Sequence, residues 1–146
     1  MSKIYINTDG GSRGNPGSAA IGVAFFDESG KIFHEHKECI GTATNNEAEY
    51  NAIITALRIL LESSWLKANL NTDSEVVCRL DSQLVVEQLC GRYKIKTDHI
   101  RVLASKVFLL KEKIGVKISF IHVRREQNKD ADRLVNQALD EQSANS

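Results

Sequence analysis

Hydrophobic and polar positions alternate from the start of the chain. Ile4 and Ile6 recur at every second position, the pattern of a strand with one buried face. The strand delivers Asp9 and then gives way to Gly10-Gly11-Ser12-Arg13-Gly14-Asn15-Pro16-Gly17, a run whose glycines predict a tight turn. Ala19 to Phe26 and Lys31 to Cys39 predict two more strands, joined at Asp27-Glu28-Ser29-Gly30, so the chain opens as an antiparallel meander. The period then changes. Thr44 and Glu47 have the spacing of a capping box, and Ile53, Ala56, Leu57, Leu60 and Leu61 follow at helical spacing.

Glu75 to Leu80 predict a short strand, with Asp81 at its carboxyl end and Ser82 capping a helix from Gln83 to Cys90. Gly91 ends that helix, and Arg92 to Thr97 form a basic connection. A longer helix from Asp98 to Lys113 places Ile100, Leu103, Val107, Leu110 and Ile114 on one face. Val116 to Val123 predict the last strand, Arg124 to Gln127 a polar loop, and Asn128 the cap of a final helix. That helix buries Ala131, Leu134, Val135, Ala138 and Leu139, and a polar tail begins at Gln142.

Composition narrows the class. A chain of 146 residues with 42% hydrophobic and 26% charged residues has the make-up of one soluble globular domain. Its apolar runs are too short to span a membrane, and the polar start does not read as a signal peptide. Cys39, Cys78 and Cys90 match no zinc spacing; they read as reduced thiols, small core residues of a cytoplasmic protein. A formal net charge of zero argues against non-specific coating of nucleic acid. Between Arg92 and Lys117, however, eight lysines and arginines face only two acids. A solvated helix face and a surface that tracks phosphates both account for that bias.

Several acids invite chemistry, each with an ordinary alternative. Asp9 beside bare glycine backbone suits a hard cation, and equally caps a turn. Glu49 lies four residues before Ile53, on the face that turns toward the sheet, where an unpaired carboxylate is costly. It is also an acid in a helix first turn, favourable there without any ligand. Asp81 ends a strand, where ligand sites of α/β sheets gather. Asp132, taken alone, reads as an exposed first-turn acid.

Together these residues say more. Asp9 in TDGGSRGNPG, Glu49 in TNNEAEY, Asp81 in RLDSQL and Asp132 in NKDADRL follow one another along one short chain. In these motifs and their order the sequence resembles type 1 ribonuclease H, the RNase HI family, from about Lys3 to Leu139. It is most similar to the compact branch, which lacks the basic protrusion. The resemblance implies a single RNase H domain over residues 1–141 and a polar tail over 142–146. It implies an α/β, RNase H-like fold: a five-stranded mixed sheet flanked by helices on both faces. The expected order is three strands, a helix, a strand, two helices, a strand and a last helix.

The family likeness also implies a metal-dependent endoribonuclease that hydrolyses the RNA strand of RNA–DNA hybrids by a two-metal mechanism. Its products would carry 5′-phosphate and 3′-hydroxyl ends, and its cofactor would be two Mg²⁺ ions, with Mn²⁺ as an alternative. Asp9 would bridge the ions and Asp81 would bind one or both. Glu49 would sit near the leaving group and Asp132 near the attacking water. Substrate contacts would come from the Gly10 and Gly11 backbone, Asn15, Asn46, Ser82 and Gln83, with Asn45 added. Thr44 would meet a phosphate of the DNA strand. Many relatives carry arginine where this chain has Thr42, which implies a weaker DNA-phosphate pocket and brings double-stranded RNA into consideration.

The last loop leaves two candidates open. His122 has the spacing to Asn128 of a mobile histidine linked to proton transfer or product release, yet it also reads as a structural strand-end residue. Arg125 fits the compact branch and would face the metals or a phosphate. An integrase or transposase would share the fold, but TDGGSRGNPG and NKDADRL are specific to the ribonuclease. A non-catalytic binding relative would be expected to lose a carboxylate, and all four are present. A monomer with no membrane partner is the default.

Overall fold

The computed structural model describes residues 3–144, apart from the side chains of 65–67. In chain order the elements are β1 (Lys3–Gly14), β2 (Gly17–Phe26), β3 (Ile32–Ala43), α1 (Asn45–Glu62) and α2 (Ser64–Asn69). They continue with β4 (Glu75–Leu80), α3 (Gln83–Leu89), α4 (Asp98–Ile114), β5 (Lys117–His122), a 3-10 turn at Arg125–Gln127, and α5 (Lys129–Ala144). The strands form one mixed sheet in the order β3-β2-β1-β4-β5. β1 is its central strand, antiparallel to β2 and parallel to β4. This is the RNase H-like architecture expected from the sequence.

One face of the sheet packs against α1 and α4. Ile4, Ile6, Val76, Cys78 and Leu80 meet Ile53, Leu57, Leu103 and Val107 there. α5 covers the other face over β2 and the neighbouring strands, through Ala131, Leu134, Val135, Ala138 and Leu139. The capping box forms as expected: Glu47 N–H donates to the Thr44 hydroxyl at 3.1 Å, and Thr44 N–H donates to a Glu47 carboxylate oxygen at 2.8 Å. Such a cap is worth about 1 kcal/mol and fixes where α1 begins.

The largest departure concerns the glycine run. Gly10 to Arg13 do not turn. β1 continues through them to Gly14, each residue paired with β2, and only Asn15-Pro16 make the reversal. The glycines serve close packing instead. A Cβ on Gly10 would lie 2.2 Å from the Ala48 carbonyl carbon, so this glycine lets α1 rest directly on β1. Gly22 does the same for α5: a Cβ there would lie 2.3 Å from the Ala131 oxygen. Asp9 therefore stands within a strand rather than at the mouth of a turn.

Smaller differences have similar causes. β3 extends beyond Cys39 to Ala43, across a register shift at Ile40. α2 was not expected, since six residues are too few to reveal a helical period. The final helix runs through Gln142 and Ser143 to Ala144, so the predicted tail is helical that far; residues 145 and 146 lie outside the described ones. Cys90 is exposed, not a core residue, while Cys78 is buried and Cys39 half-buried; all three are free thiols. No described helix is long and apolar enough to cross a membrane.

Candidate active site

Local geometry brings three carboxyl groups together from three elements. The parallel ladder between β1 and β4 ends at the Thr8–Leu80 pair. Asp9 and Asp81 are the next residues of these adjacent strands, so they emerge beside one another. The contact between Gly10 and Ala48 then sets the adjoining residue, Glu49, against Asp9. Oxygens of Asp9, Glu49 and Asp81 all lie within 4.8 Å of one another, a spacing suited to holding a metal ion.

The cluster is electrostatically unfavourable as protein alone. Asp9 is 8% exposed and Glu49 7%. Burial, with the charges of Asp81 and Asp132 added, pushes the Asp9 carboxyl up to about 7. Burial also raises Glu49 well above the usual range, reinforced by the charge of Asp9 and by donation of the Glu49 proton in a hydrogen bond to it. Asp81 is raised by burial as well, an effect opposed by a hydrogen bond from Asn128. One oxygen of Glu49 is buried without any hydrogen-bond partner. A divalent cation answers all of these at once: oxygen donors, accumulated negative charge and an unpaired buried acceptor.

Around the cluster lies an open cleft. Gly10, Gly11, Asn45, Ser82, Arg125 and Asp132 line it, as the sequence reading anticipates for the site. The Asp132 side chain is one-third exposed, and Arg125 Nη2 stands 3.8 Å from it. Asn45 uses its side-chain oxygen to accept from Ser12 N–H at 2.9 Å, and its own N–H donates to Asn15 at 3.0 Å. The β1–β2 reversal is thus tied to the start of α1.

Other candidates fall elsewhere. Thr44 is occupied as the α1 cap. Asn46 lines a second groove, with Leu84, Gln88, Tyr93, Lys94 and Ile100. Gln83 is exposed and outside both linings. His122 is exposed at the end of β5 and does not line the carboxylate cleft.

Asn128 is the residue that sequence reasoning misread. Its side chain does not cap α5. It is fully buried, donates to Thr8 O at 2.9 Å and lies close enough to Asp81 to oppose the rise of that carboxyl. An asparagine before a helix is so common a cap that nothing in the sequence separates the two uses. Arg13 and Asn136 also line the cleft, one from β1 and one from α5. Neither carries a local signal.

The raised Asp9 carboxyl makes stability depend on pH. Its unfolded counterpart titrates near 3.8 and the folded group near 7, so between these values the folded state holds the extra proton. Metal-free protein should therefore lose stability as pH rises from about 4 to about 7, by about 4 kcal/mol from this group. Mg²⁺ binds the deprotonated form and should offset the loss progressively at higher pH. Thermal unfolding from pH 4 to 8, with EDTA or Mg²⁺, checks both slopes. Equal melting curves with and without Mg²⁺ at pH 8 would contradict the assignment of a metal to this cluster.

Comparison with known proteins points the same way. A family model described as "Reverse transcriptase-like" matches residues 7–138. A bifunctional protein of Mycobacterium tuberculosis is 39% identical over 139 residues, covering 94% of this chain and 36% of the relative. The ribonuclease HI of Halobacterium salinarum is 36% identical over 140 residues, covering 95% of this chain and 65% of the relative. The chain thus spans only about a third to two-thirds of these curated relatives. The crystal structure of LC11-RNase H1 in complex with an RNA/DNA hybrid superposes with a TM-score of 0.87 and 43% identity, covering 94% of this chain and 97% of that one.

Proposed function

The chain belongs to the type 1 ribonuclease H family, and from that premise we propose that it is a metal-dependent endoribonuclease cutting the RNA strand of RNA–DNA hybrids. Its products would carry 5′-phosphate and 3′-hydroxyl ends. The observation that carries this reading is the convergence of Asp9, Glu49 and Asp81, with one Glu49 oxygen buried and unpaired. Those three carboxylates, joined by Asp132 across the cleft, would hold two Mg²⁺ ions, with Mn²⁺ as an alternative. When bound, the ions supply Lewis acidity at the scissile phosphate and an acidified water for in-line attack.

The protein's own groups bind and orient. The backbone of Gly10 and Gly11 lines the cleft beside Asp9, and Ser82 and Asn45 offer hydrogen-bonding groups along it that can sense a 2′-hydroxyl. Arg125, 80% exposed in its side chain, can move from Asp132 to a phosphate. The groove containing Asn46 and Tyr93 lies on the other side of the α1 start and suits the DNA strand. Lys94, Lys96 and the half-exposed Tyr93 line it, with Arg92 paired to Glu87 at its edge. Tyr93→Ala should raise KM roughly fivefold with little change in kcat, since losing the contact of one half-exposed ring with the sugar–phosphate edge of a duplex costs about 1 kcal/mol. Steady-state kinetics on a hybrid duplex reads this split, and an unchanged KM would remove Tyr93 from the interface.

End-labelled RNA–DNA, RNA–RNA and DNA–DNA duplexes, each with Mg²⁺, Mn²⁺ or EDTA, test the activity. Metal-dependent cutting of the hybrid's RNA strand, lost in Asp81→Asn, is the expected result. Binding without cutting under every metal would leave a non-catalytic relative. Comparable cutting of RNA–RNA would assign relaxed strand choice to Thr42. Three free thiols suit a reducing compartment, so we place the protein in the cytoplasm. Residues 1–141 act as one domain in this reading, and the active species is a monomer.

A further inference from the structure

Arg79 has no obvious reason to be where it is. It lies in β4 on the sheet face shared with Tyr5 and Phe26, and its guanidinium carbon sits 4.6 Å and 5.0 Å from the centres of those two rings. No carboxylate among the described residues pairs with it. Burial lowers its pKa from the ordinary arginine value, so a methionine would fill the same space without the cost of desolvating a charge. Its polar contact is directed instead: Nε–H donates to the Asn7 side-chain oxygen at 2.6 Å.

Asn7 is 3% exposed and passes the contact on. Its Nδ2 donates to Gln127 O at 3.3 Å, in the 3-10 turn that follows β5. Stacking against two rings fixes the plane of the guanidinium and so the direction of its N–H. That in turn fixes the Asn7 amide, because a flipped amide would set its own donors against the Arg79 donor. The turn held in this way carries Arg125 and leads directly into Asn128 and Asp132. Its other moorings are backbone acceptors at the ends of the central strands. Val123 N–H donates to Leu80 O at 2.8 Å, and the Asn128 side chain donates to Thr8 O at 2.9 Å.

We propose that Arg79 and Asn7 are positioning residues that hold the Arg125–Gln127 turn where Asn128 meets Asp81 and Asp132 joins the cleft, and thereby set the metal affinity of the site. The consequence for affinity rests on the reading of the cleft as a metal site; the mooring of the turn does not.

Asn7→Asp separates this role from simple satisfaction of Arg79. It keeps an acceptor for the guanidinium but replaces the donor to Gln127 with a carboxylate oxygen facing a carbonyl. Two readouts apply: Mg²⁺ affinity by calorimetry, and amide hydrogen exchange over residues 125–128. The expected result is at least tenfold weaker Mg²⁺ binding, as for other groups that orient metal ligands, with faster exchange in the turn and unchanged exchange in α1. Wild-type affinity together with wild-type exchange would overturn the proposal. Should the wild-type protein take up no Mg²⁺, the metal reading fails and exchange alone decides: unchanged protection over 125–128 overturns the mooring, and faster exchange sustains it. If Asn7→Asp does not fold, Arg79→Met is used with the same readouts and criteria. It covers the same two rings and releases the Asn7 amide.

Discussion

Asp9→Asn should abolish cleavage of the RNA strand and, without metal, make the protein more stable. The substitution keeps the shape of the side chain and an acceptor for Gly10 N–H, the bond Asp9 makes at 3.0 Å. It removes the charge that burial and the neighbouring Asp81 make costly. At pH 8 the folded state no longer holds a deprotonated carboxylate against its preference, and a gain of about 2 to 4 kcal/mol is expected in EDTA. Catalysis loses the central ligand of the cluster, so hybrid cleavage should fall by roughly 10³-fold or more. Mg²⁺ should then stabilise the variant far less than the wild type. Thermal melts with and without Mg²⁺, beside a cleavage assay, test these outcomes together. A variant that is inactive and also destabilised in EDTA would show that Asp9 supports the fold instead of straining it.

Gly10→Ala and Gly11→Ala should differ sharply although they alter adjacent residues of one strand. At Gly10 the new methyl would lie 2.2 Å from the backbone carbon and oxygen of Ala48, which cannot rotate away. α1 must then lift from β1 at the point where Glu49 reaches Asp9. Overpacking against backbone costs about 3 kcal/mol or more, and cleavage should fall with it because two metal ligands separate. At Gly11 the same methyl meets the Val135 side chain at 3.7 Å and the Asn45 side-chain oxygen at 4.0 Å, both ordinary contacts. That variant should unfold at the wild-type temperature. Equal stability of the two variants would mean that the glycines serve the backbone angles of a turn and not the approach of the helix.

This contrast shows where reading the sequence succeeds. Both long amphipathic helices, the Thr44–Glu47 capping box and the strand at Glu75–Leu80 are legible because each is a local pattern, set by side-chain period or by contacts within one turn. The buried face of α5 was legible for the same reason. The glycine run failed. Glycine is demanded both by unusual backbone angles and by close approach of another element, and a sequence does not distinguish the two. Asn128 failed likewise, since its cap and its contacts with Thr8 and Asp81 require the same side chain.

What the sequence determined by itself is the order of the elements other than α2, the faces the long helices bury and the four acids in their spaced motifs. Tertiary structure decided which acids meet. Asp9, Glu49 and Asp81 converge because the β1–β4 ladder stops one residue short of both aspartates and because Gly10 lets α1 touch the sheet. It decided too that Arg125 lines the cleft while His122, three residues earlier, does not. Local periodicity fixes which way a side chain points from its own element. The distance between side chains on different elements depends on how closely those elements pack, and that is a property of the whole fold.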